Sequence, residues 1–396
     1  MKITGIIAEY DPFHNGHAYH IGKARAAGAD AVVVALGGEF TQRGEPAWCS
    51  KYLRAQCALL CGADLVLEIP LPYALGSAER FAEGGVSVLD ALGCVDTLSF
   101  GSECGDAEKI ARFAALSDSP EFLDEVKKAH SGGVSAAFAR EAAARLLAPE
   151  LSEIAASPND TLGAEYCKWL SRLGSSMEPF AVRRYGAGHG EAVLKSGIAS
   201  ATYLRSFPSV SDILPYVPAD THGLLLEAET AGKLPALPEK YGVAALSRLR
   251  TLSEAELARV PDCAAEGLYH RVFDAVRQAK SLDELYSLIK TKRYAMSRVK
   301  RIVAGAYLGL DGSVLKGAKL PYIRVLGMND TGAAVLKEAK SSAKLPISSS
   351  LAELKRVSEA AAVFAALEAR AEDLWQILLP SPGECGLAYK TKLIKV

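Results

Sequence analysis

Across 396 residues the chain carries 45 Lys and Arg against 46 Asp and Glu, a net charge of −1, with 49% hydrophobic and 23% charged residues. That is the make-up of a globular protein of about two domains, and it excludes nucleic-acid binding by overall charge, so a polyanion must meet a local basic patch. No apolar run is long enough to span a bilayer, Glu9 and Asp11 interrupt the first apolar stretch too early for a signal peptide, and eight cysteines without a CxxC pair predict reduced thiols in a cytoplasmic protein.

Apolar, β-branched runs predict strands at Ile3–Ala8, Ala31–Leu36, Leu65–Ile69 and Thr97–Phe100, alternating with helical patterns at Gly16–Gly28, Ser50–Cys61 and Ser77–Leu92. This alternation predicts an α/β fold, a doubly wound parallel sheet of βαβ units. Ala-rich helices follow over Asp106–Leu147, another helix starts near Asn159, and Glu178–Gly186 returns to the sheet as a strand. Beyond Pro208 helical stretches dominate: Pro218–Thr230, Gly242–Leu249, Ala264–Ala279, Leu282–Leu288 and Ser297–Leu308, with an extended piece at Pro321–Leu326. The change of pattern near Pro208–Pro215 predicts two domains, residues 1–208 and a mainly helical 209–396.

Three of the chain's seven histidines fall in its first twenty residues, two of them in "HNGH" between the first strand and the first helix. Open parallel sheets bind ligands outside the carboxyl ends of their strands. Gly16 lets a ligand approach the backbone, the helix start favours an anion, and the imidazoles of His14 and His17 can donate to phosphate oxygens. The bland alternative is a turn with surface histidines. Near the end of the first half, "IASATYLR" (Ile198–Arg205) sets hydroxyls at a helix start and an arginine one turn later. It can cap a helix or grip terminal phosphates.

"DPFHNGH" together with "IASATYLR" resembles the two signatures of the HxGH nucleotidyltransferase superfamily, with Ser200, Thr202 and Arg205 matching the second. The longer stretches "GIIAEYDPFHNGH", "GEFTQRGEPA", "LSFGSE", "SPNDTLGAEY", "RRYGAGHG", "KTKRYAMSRVKRIV" and "PYIRVLGMN" together resemble the bacterial tRNA(Met) cytidine acetate ligase family over nearly the whole chain. The resemblance implies a Rossmann-like nucleotidyltransferase domain followed by a tRNA-binding domain. It implies activation of acetate with ATP as acetyladenylate, then transfer of acetyl to the wobble cytidine of elongator tRNA(Met), with Mg²⁺ accompanying the nucleotide and no protein ligands for the metal. Two positions depart from the family pattern: Asp11 stands in place of Asn, and Gly188 where an aromatic precedes the histidine.

The resemblance implies catalytic roles for His14, His17 and Arg184. It places ATP contacts along Ile7, Ala8, Glu9, Tyr10, Asp11, Pro12, Phe13, His14, Asn15, Gly16, His17, Ala18, Tyr19 and His20, and at Gly101, Asn159, Arg183, Arg184, Ser200, Thr202 and Arg205. Read from the residues alone, Gly101 is a turn glycine after the fourth strand, Asn159 a helix N-cap, Arg183 and Arg184 a strand end, and His20 a packing or capping residue. His189 reads equally as structural or functional. Cys49, Cys57 and Cys61 read as core residues of a helix, with an acyl-carrying cysteine as the rival.

The stretch "KTKRYAMSRVKR" (Lys290–Arg301) holds six cations and no acid: Lys290, Lys292, Arg293, Arg298, Lys300 and Arg301. Such a run is either a solvated face or an RNA contact, in which Arg298 and Arg301 meet phosphates and Tyr294 stacks on a base. Lys390, Lys392 and Lys395 form a second patch. Two other functions stay open: an adenylyltransferase acting on a small phosphorylated cofactor precursor, and a catalytically silent nucleotide-binding RNA chaperone. No membrane partner is expected, and nothing in the sequence speaks to oligomeric state.

Overall fold

The first strand, β1 (Ile3–Ala8), lies beside β2 (Ala31–Gly37), and β2 beside β3 (Leu65–Ile69), all parallel. Each reads as a nearly continuous apolar run because each is covered on both faces; β2 is buried at every residue. The chain then crosses back: β4 (Thr97–Ser102) pairs with the other edge of β1, and β5 (Glu178–Arg183) with β4. The order β5-β4-β1-β2-β3 reverses direction between β1 and β4, and this is where a doubly wound sheet opens a crevice at its carboxyl ends. The computed structural model describes residues 1–131, 134–184, 198–264 and 267–396. Gly186, Gly188 and His189 lie outside the described residues.

Alternate strand residues face opposite sides, and two cores result. On one side Ile6, Val32, Val34, Leu36 and Val66 pack against α1 (Asn15–Ala26), α2 (Lys51–Leu60) and the segment carrying Ala199, Leu204, Val210, Ile213 and Leu225. On the other side Ile3, Ile7, Val33, Leu65 and Leu67 meet the one-turn helix α3 (Leu71–Ala74), α4 (Ala78–Leu92), the helix Pro158–Leu173, and helices from the second half such as Met296–Leu308 and Glu359–Gln376. The Ala-rich region forms three helices, Ala107–Ser117, Pro120–Ser131 and Ala136–Leu147.

The second half is not only helical. The extended piece expected at Pro321–Leu326 is β6 (Ile323–Met328), which pairs antiparallel with β3 and enlarges the sheet. Two short strands, β7 (Ile347–Ser348) and β8 (Ile394–Lys395), flank β6 in turn. The pattern change near Pro208 therefore does not separate two cores. It marks the point where the chain leaves the parallel sheet before coming back to its far edge.

Charges fill the space beneath that junction. Glu68 on β3 is buried, and Lys51 Nζ lies 2.6 Å from its Oε1 while an Arg324 amino group lies 2.9 Å from its Oε2. Lys51 also approaches Glu372 at 3.5 Å and Glu368 at 3.8 Å, and Tyr52 accepts from Arg324 and donates to Glu372. Burial pushes the Glu368 carboxyl above the usual carboxylate range, aided by the neighbouring Glu68, while Lys51 holds it back. Among the described residues no helix is long and apolar enough to cross a membrane.

Candidate active site at the carboxyl ends of β1 and β4

Immediately after β1 the chain passes Glu9, turns at Tyr10 (φ 52°) and reaches His14, the N-cap of α1. A left-handed backbone costs a non-glycine residue about 1–3 kcal/mol, and here the Tyr10 ring is buried against Phe13 and His17, with centroids 4.8 and 4.7 Å away. The two histidines cap the helix reciprocally. His14 Nδ1 accepts from Gly16 N–H at 3.0 Å, and His17 Nδ1 accepts from His14 N–H at 3.2 Å. The rings stack with centroids 3.6 Å apart. A side chain at Gly16 would place its Cβ 2.8 Å from His14 Cε1, so the glycine of the motif is required by the stack itself.

This capping fixes the tautomer. With each Nδ1 accepting, the single proton of each neutral ring sits on Nε2, and among the described residues neither Nε2–H has a hydrogen-bond acceptor. Burial pushes His14 down to about 3, with Arg184 and then Arg205 adding to the effect. Burial likewise lowers His17 well below the usual range, helped by His14 and Arg184. The pair is therefore two neutral donors aimed from a helix start, suited to phosphate oxygens.

Arg184 reaches the same crevice from the end of β5. Its backbone N–H donates to Ser102 O at 2.9 Å, and its guanidinium donates to Asn159 Oδ1 at 3.3 Å. Asn159 is not the N-cap expected of it. Ser157 holds that position, and Asn159 lies in the first turn with its amide donating to Glu103. The neighbouring Asp160 is buried and accepts from Ser102 Oγ, Glu103 N–H at 2.9 Å and Cys104 N–H at 3.1 Å, which clamps the turn after β4. Gly101 leaves its open side toward Arg184, whose Cγ would be 3.4 Å from an added Cβ. Arg183 is exposed and packs over Gly105.

The second motif closes the far wall. Ser200 is a helix cap, its Oγ accepting from Tyr203 N–H at 3.2 Å. Thr202 Oγ1 accepts from Arg205 at 3.5 Å and from Arg43 at 3.4 Å. Arg205 donates to Asp11 O and lies 3.5 Å from the Asp11 carboxylate, whose other oxygen accepts from Trp48 N–H at 2.6 Å. The Asp11 departure is thus absorbed by Arg205. The remaining loop residues divide: Ile7, Pro12 and Phe13 are buried, Ala8 is half-buried at the end of β1, and Asn15 donates to Pro215 O at 3.3 Å. Ala18 and Tyr19 lie on α1, with Lys23 over the Tyr19 ring, while His20 Nε2 bonds Ser99 Oγ at 2.8 Å and ties α1 to β4.

Three residues went unnoticed in the sequence: Arg43, Glu103 and Asp160. All lie inside the quoted motifs, but their roles depend on contacts between distant loops. Cys49 and Cys57 are buried in the core, and Cys61, half-buried at the end of α2, packs against it. Burial pushes both Cys57 and Cys61 up to about 12, opposite to what a nucleophilic thiol needs.

The basic stretch is only partly open. Lys290, Lys292 and Arg293 are exposed. Lys300 pairs with Glu45 at 2.5 Å, Arg301 lies 3.6 Å from Asp262, and Arg298 donates to Asp262 O at 3.0 Å. Tyr294 is buried beneath Arg298, which contradicts the expected stacking on a base. The loop around Gly44 (φ 85°) packs onto this helix so tightly that a Cβ there would meet Arg301 N at 2.3 Å. The same loop carries Arg43, so it runs from the crevice to the basic stretch.

The profile of the HIGH Nucleotidyl Transferase family matches residues 1–386. A tRNA(Met) cytidine acetate ligase of Clostridium novyi is 36% identical over 88% of this chain and 89% of its own length, and one of Thermoanaerobacter sp. is 34% identical over the whole of both. The chain is a tRNA(Met) cytidine acetate ligase family member. Among solved structures, Thermotoga maritima TmcAL bound with alpha-thio ATP superposes with a TM-score of 0.91 at 28% identity, and its apo form with 0.93 at 29%, each covering all of both chains. As in other members of this ligase family, the sheet is Rossmann-like and the enzyme class is an ATP-dependent ligase forming a carbon–nitrogen bond.

Proposed function

We propose that this protein activates acetate with ATP, releasing pyrophosphate, and transfers the acetyl group from acetyladenylate to the N4 amine of the wobble cytidine of elongator tRNA(Met). The observation that carries the reading is the pair of neutral, Nδ1-capped histidines stacked at the start of α1 with Arg184 beside them. Acetate oxygen attacks the α-phosphorus, and charge accumulates on the phosphate oxygens. Donors held in place before that charge appears stabilise it without reorganising. The Nε2–H groups of His14 and His17 and the Arg184 guanidinium fill this role, while Gly16, Thr202, Arg205 and the α1 start hold the remaining phosphates.

Mg²⁺ screens the triphosphate when the nucleotide binds. The carboxylates of Asp11, Glu103 and Asp160 are already engaged and would not be free to hold the ion. Residues 1–208 carry the ATP chemistry and 209–396 the basic stretch for tRNA, with Lys290, Lys292 and Arg293 as its outward part. The reading places the protein in the cytoplasm. Acetate-dependent pyrophosphate release, followed by nucleoside analysis of tRNA incubated with ATP and acetate, tests it. Absence of N4-acetylcytidine would overturn it.

A further inference from the structure

We propose that Glu9 is the general base of acetyl transfer, its Oε2 accepting the proton that the cytidine amine sheds as it attacks. This rests on the ligase reading above. The N4 lone pair of cytidine is delocalised into the ring, so the amine is a weak nucleophile. Attack forms the nitrogen–carbon bond, breaks the bond from acetyl carbon to phosphate oxygen, and expels AMP with the electron pair. One N4 proton must leave in the same sequence of events, and a positioned acceptor speeds such a step by about 10²–10⁴-fold.

The crevice offers few acceptors. His14 and His17 cannot serve, because each Nδ1 already accepts a backbone N–H and each Nε2 carries the ring's only proton. His20 is bonded to Ser99. Asp11 is held by Trp48 N–H and Arg205, Asp160 by three donors after β4, and Glu103 by Asn159 and by Asp160 N–H at 3.1 Å.

Glu9 differs. It is the first residue past β1, at the mouth of the crevice, and its backbone oxygen is fixed by Arg54 at 2.6 Å. One carboxylate oxygen, Oε1, accepts from Gln42 N–H at 2.6 Å; among the described residues Oε2 has no hydrogen-bond partner. The carboxylate is thus anchored by one oxygen and open at the other. Burial raises its pKa, with Asp11 adding to the rise, while Gln42 N–H, Arg54 and Arg43 hold it back. The result is a stronger base than a surface glutamate. Gln42, which holds it, belongs to the loop after β2 that carries Arg43 and runs toward the basic stretch, the side from which an RNA would enter.

The test uses the full-length protein, radiolabelled acetate, ATP and a tRNA transcript, with pyrophosphate release and single-turnover acetyl transfer followed from pH 5 to 8.5. In Glu9→Gln an amide oxygen still accepts from Gln42. The expected result is a fall in transfer at least about 100-fold greater than any fall in pyrophosphate release. The acidic limb of the wild-type transfer profile should vanish in this variant and return, at a lower rate, in Glu9→Asp. Transfer within a few-fold of wild type, or equal losses in both steps, overturns the assignment and leaves Glu9 a positioning residue for the nucleotide. Failure of the unaltered protein to release pyrophosphate with acetate removes the ligase reading itself, an outcome seen before any variant is made.

Discussion

Replacing His14 with Ser separates the two jobs the structure gives that residue. As an N-cap, His14 satisfies Gly16 N–H through Nδ1 at 3.0 Å. Serine is among the preferred caps, and its Oγ accepts from the same turn, so the start of α1 should hold to within about 1 kcal/mol. The Nε2–H donor has no counterpart in serine. Losing one preorganised donor to developing charge costs about 10²–10³ in rate, or roughly 3–4 kcal/mol at the transition state. The two effects differ by more than 2 kcal/mol on the same scale, enough to tell them apart. Acetate-dependent pyrophosphate release should fall by at least 100-fold, while the melting temperature stays within a few degrees. Release within a few-fold of the unaltered protein, at an unchanged melting temperature, would reduce the first histidine of the motif to a helix cap.

Arg184→Ala should weaken ATP use and leave tRNA binding intact; loss of tRNA affinity with normal pyrophosphate release would move that arginine out of the crevice. Replacing Lys290, Lys292 and Arg293 together with Ala should reduce the slope of log affinity for tRNA against log salt by about 2, since each neutralised phosphate contributes about 0.7–0.9; Arg301 is spared because Asp262 and Gln42 engage it. An unchanged slope in filter binding would exclude the segment. Lys51→Met, which removes the cation 2.6 Å from buried Glu68, should cost about 3–5 kcal/mol by urea titration; a loss under 1 kcal/mol would mean that Arg324 alone satisfies Glu68. Stability should also depend on pH. His14, lowered to about 3, and His20, lowered to about 4, bind protons more weakly folded than unfolded, so stability is full above pH 6.5 and falls from there toward pH 4. Glu9 and Asp11, raised by burial, offset part of that loss. A melting temperature that holds steady from pH 7 to 5 would contradict the neutral burial of the histidines.

Local signals in the sequence carried far. Strands β1 to β4 fall where apolar runs end in Gly, Asp or Pro, and the histidine loop was recognisable because its position after a first strand carries chemical meaning. What stayed hidden depends on partners far away in the chain. The apolar residues of β6 sit among helices and read as a stray extended piece until β3, more than 250 residues earlier, is beside it. Arg301 looks like a surface cation in a basic run, but Asp262 and the Gly44 loop fold over it. Asp160 follows the Asn that drew notice, and its three donors come from a turn that no local pattern links to it. Composition likewise says nothing of the Lys51, Glu68 and Arg324 cluster, because each of these residues is ordinarily on the surface.

That cluster bears on how the chain can be cut or recombined. Lys51 and Glu68 come from the first half, and Arg324, Glu368 and Glu372 from the second, all shut away from water. A fragment ending near residue 208 would bare the edge of β3 that β6 covers and strand Glu68 with one cation where it now has two. The two halves of the sequence are therefore not halves that fold apart. A chimera joining the front of one family member to the back of another must carry a matching set of these charges, and the whole chain should unfold in one transition where composition suggests two.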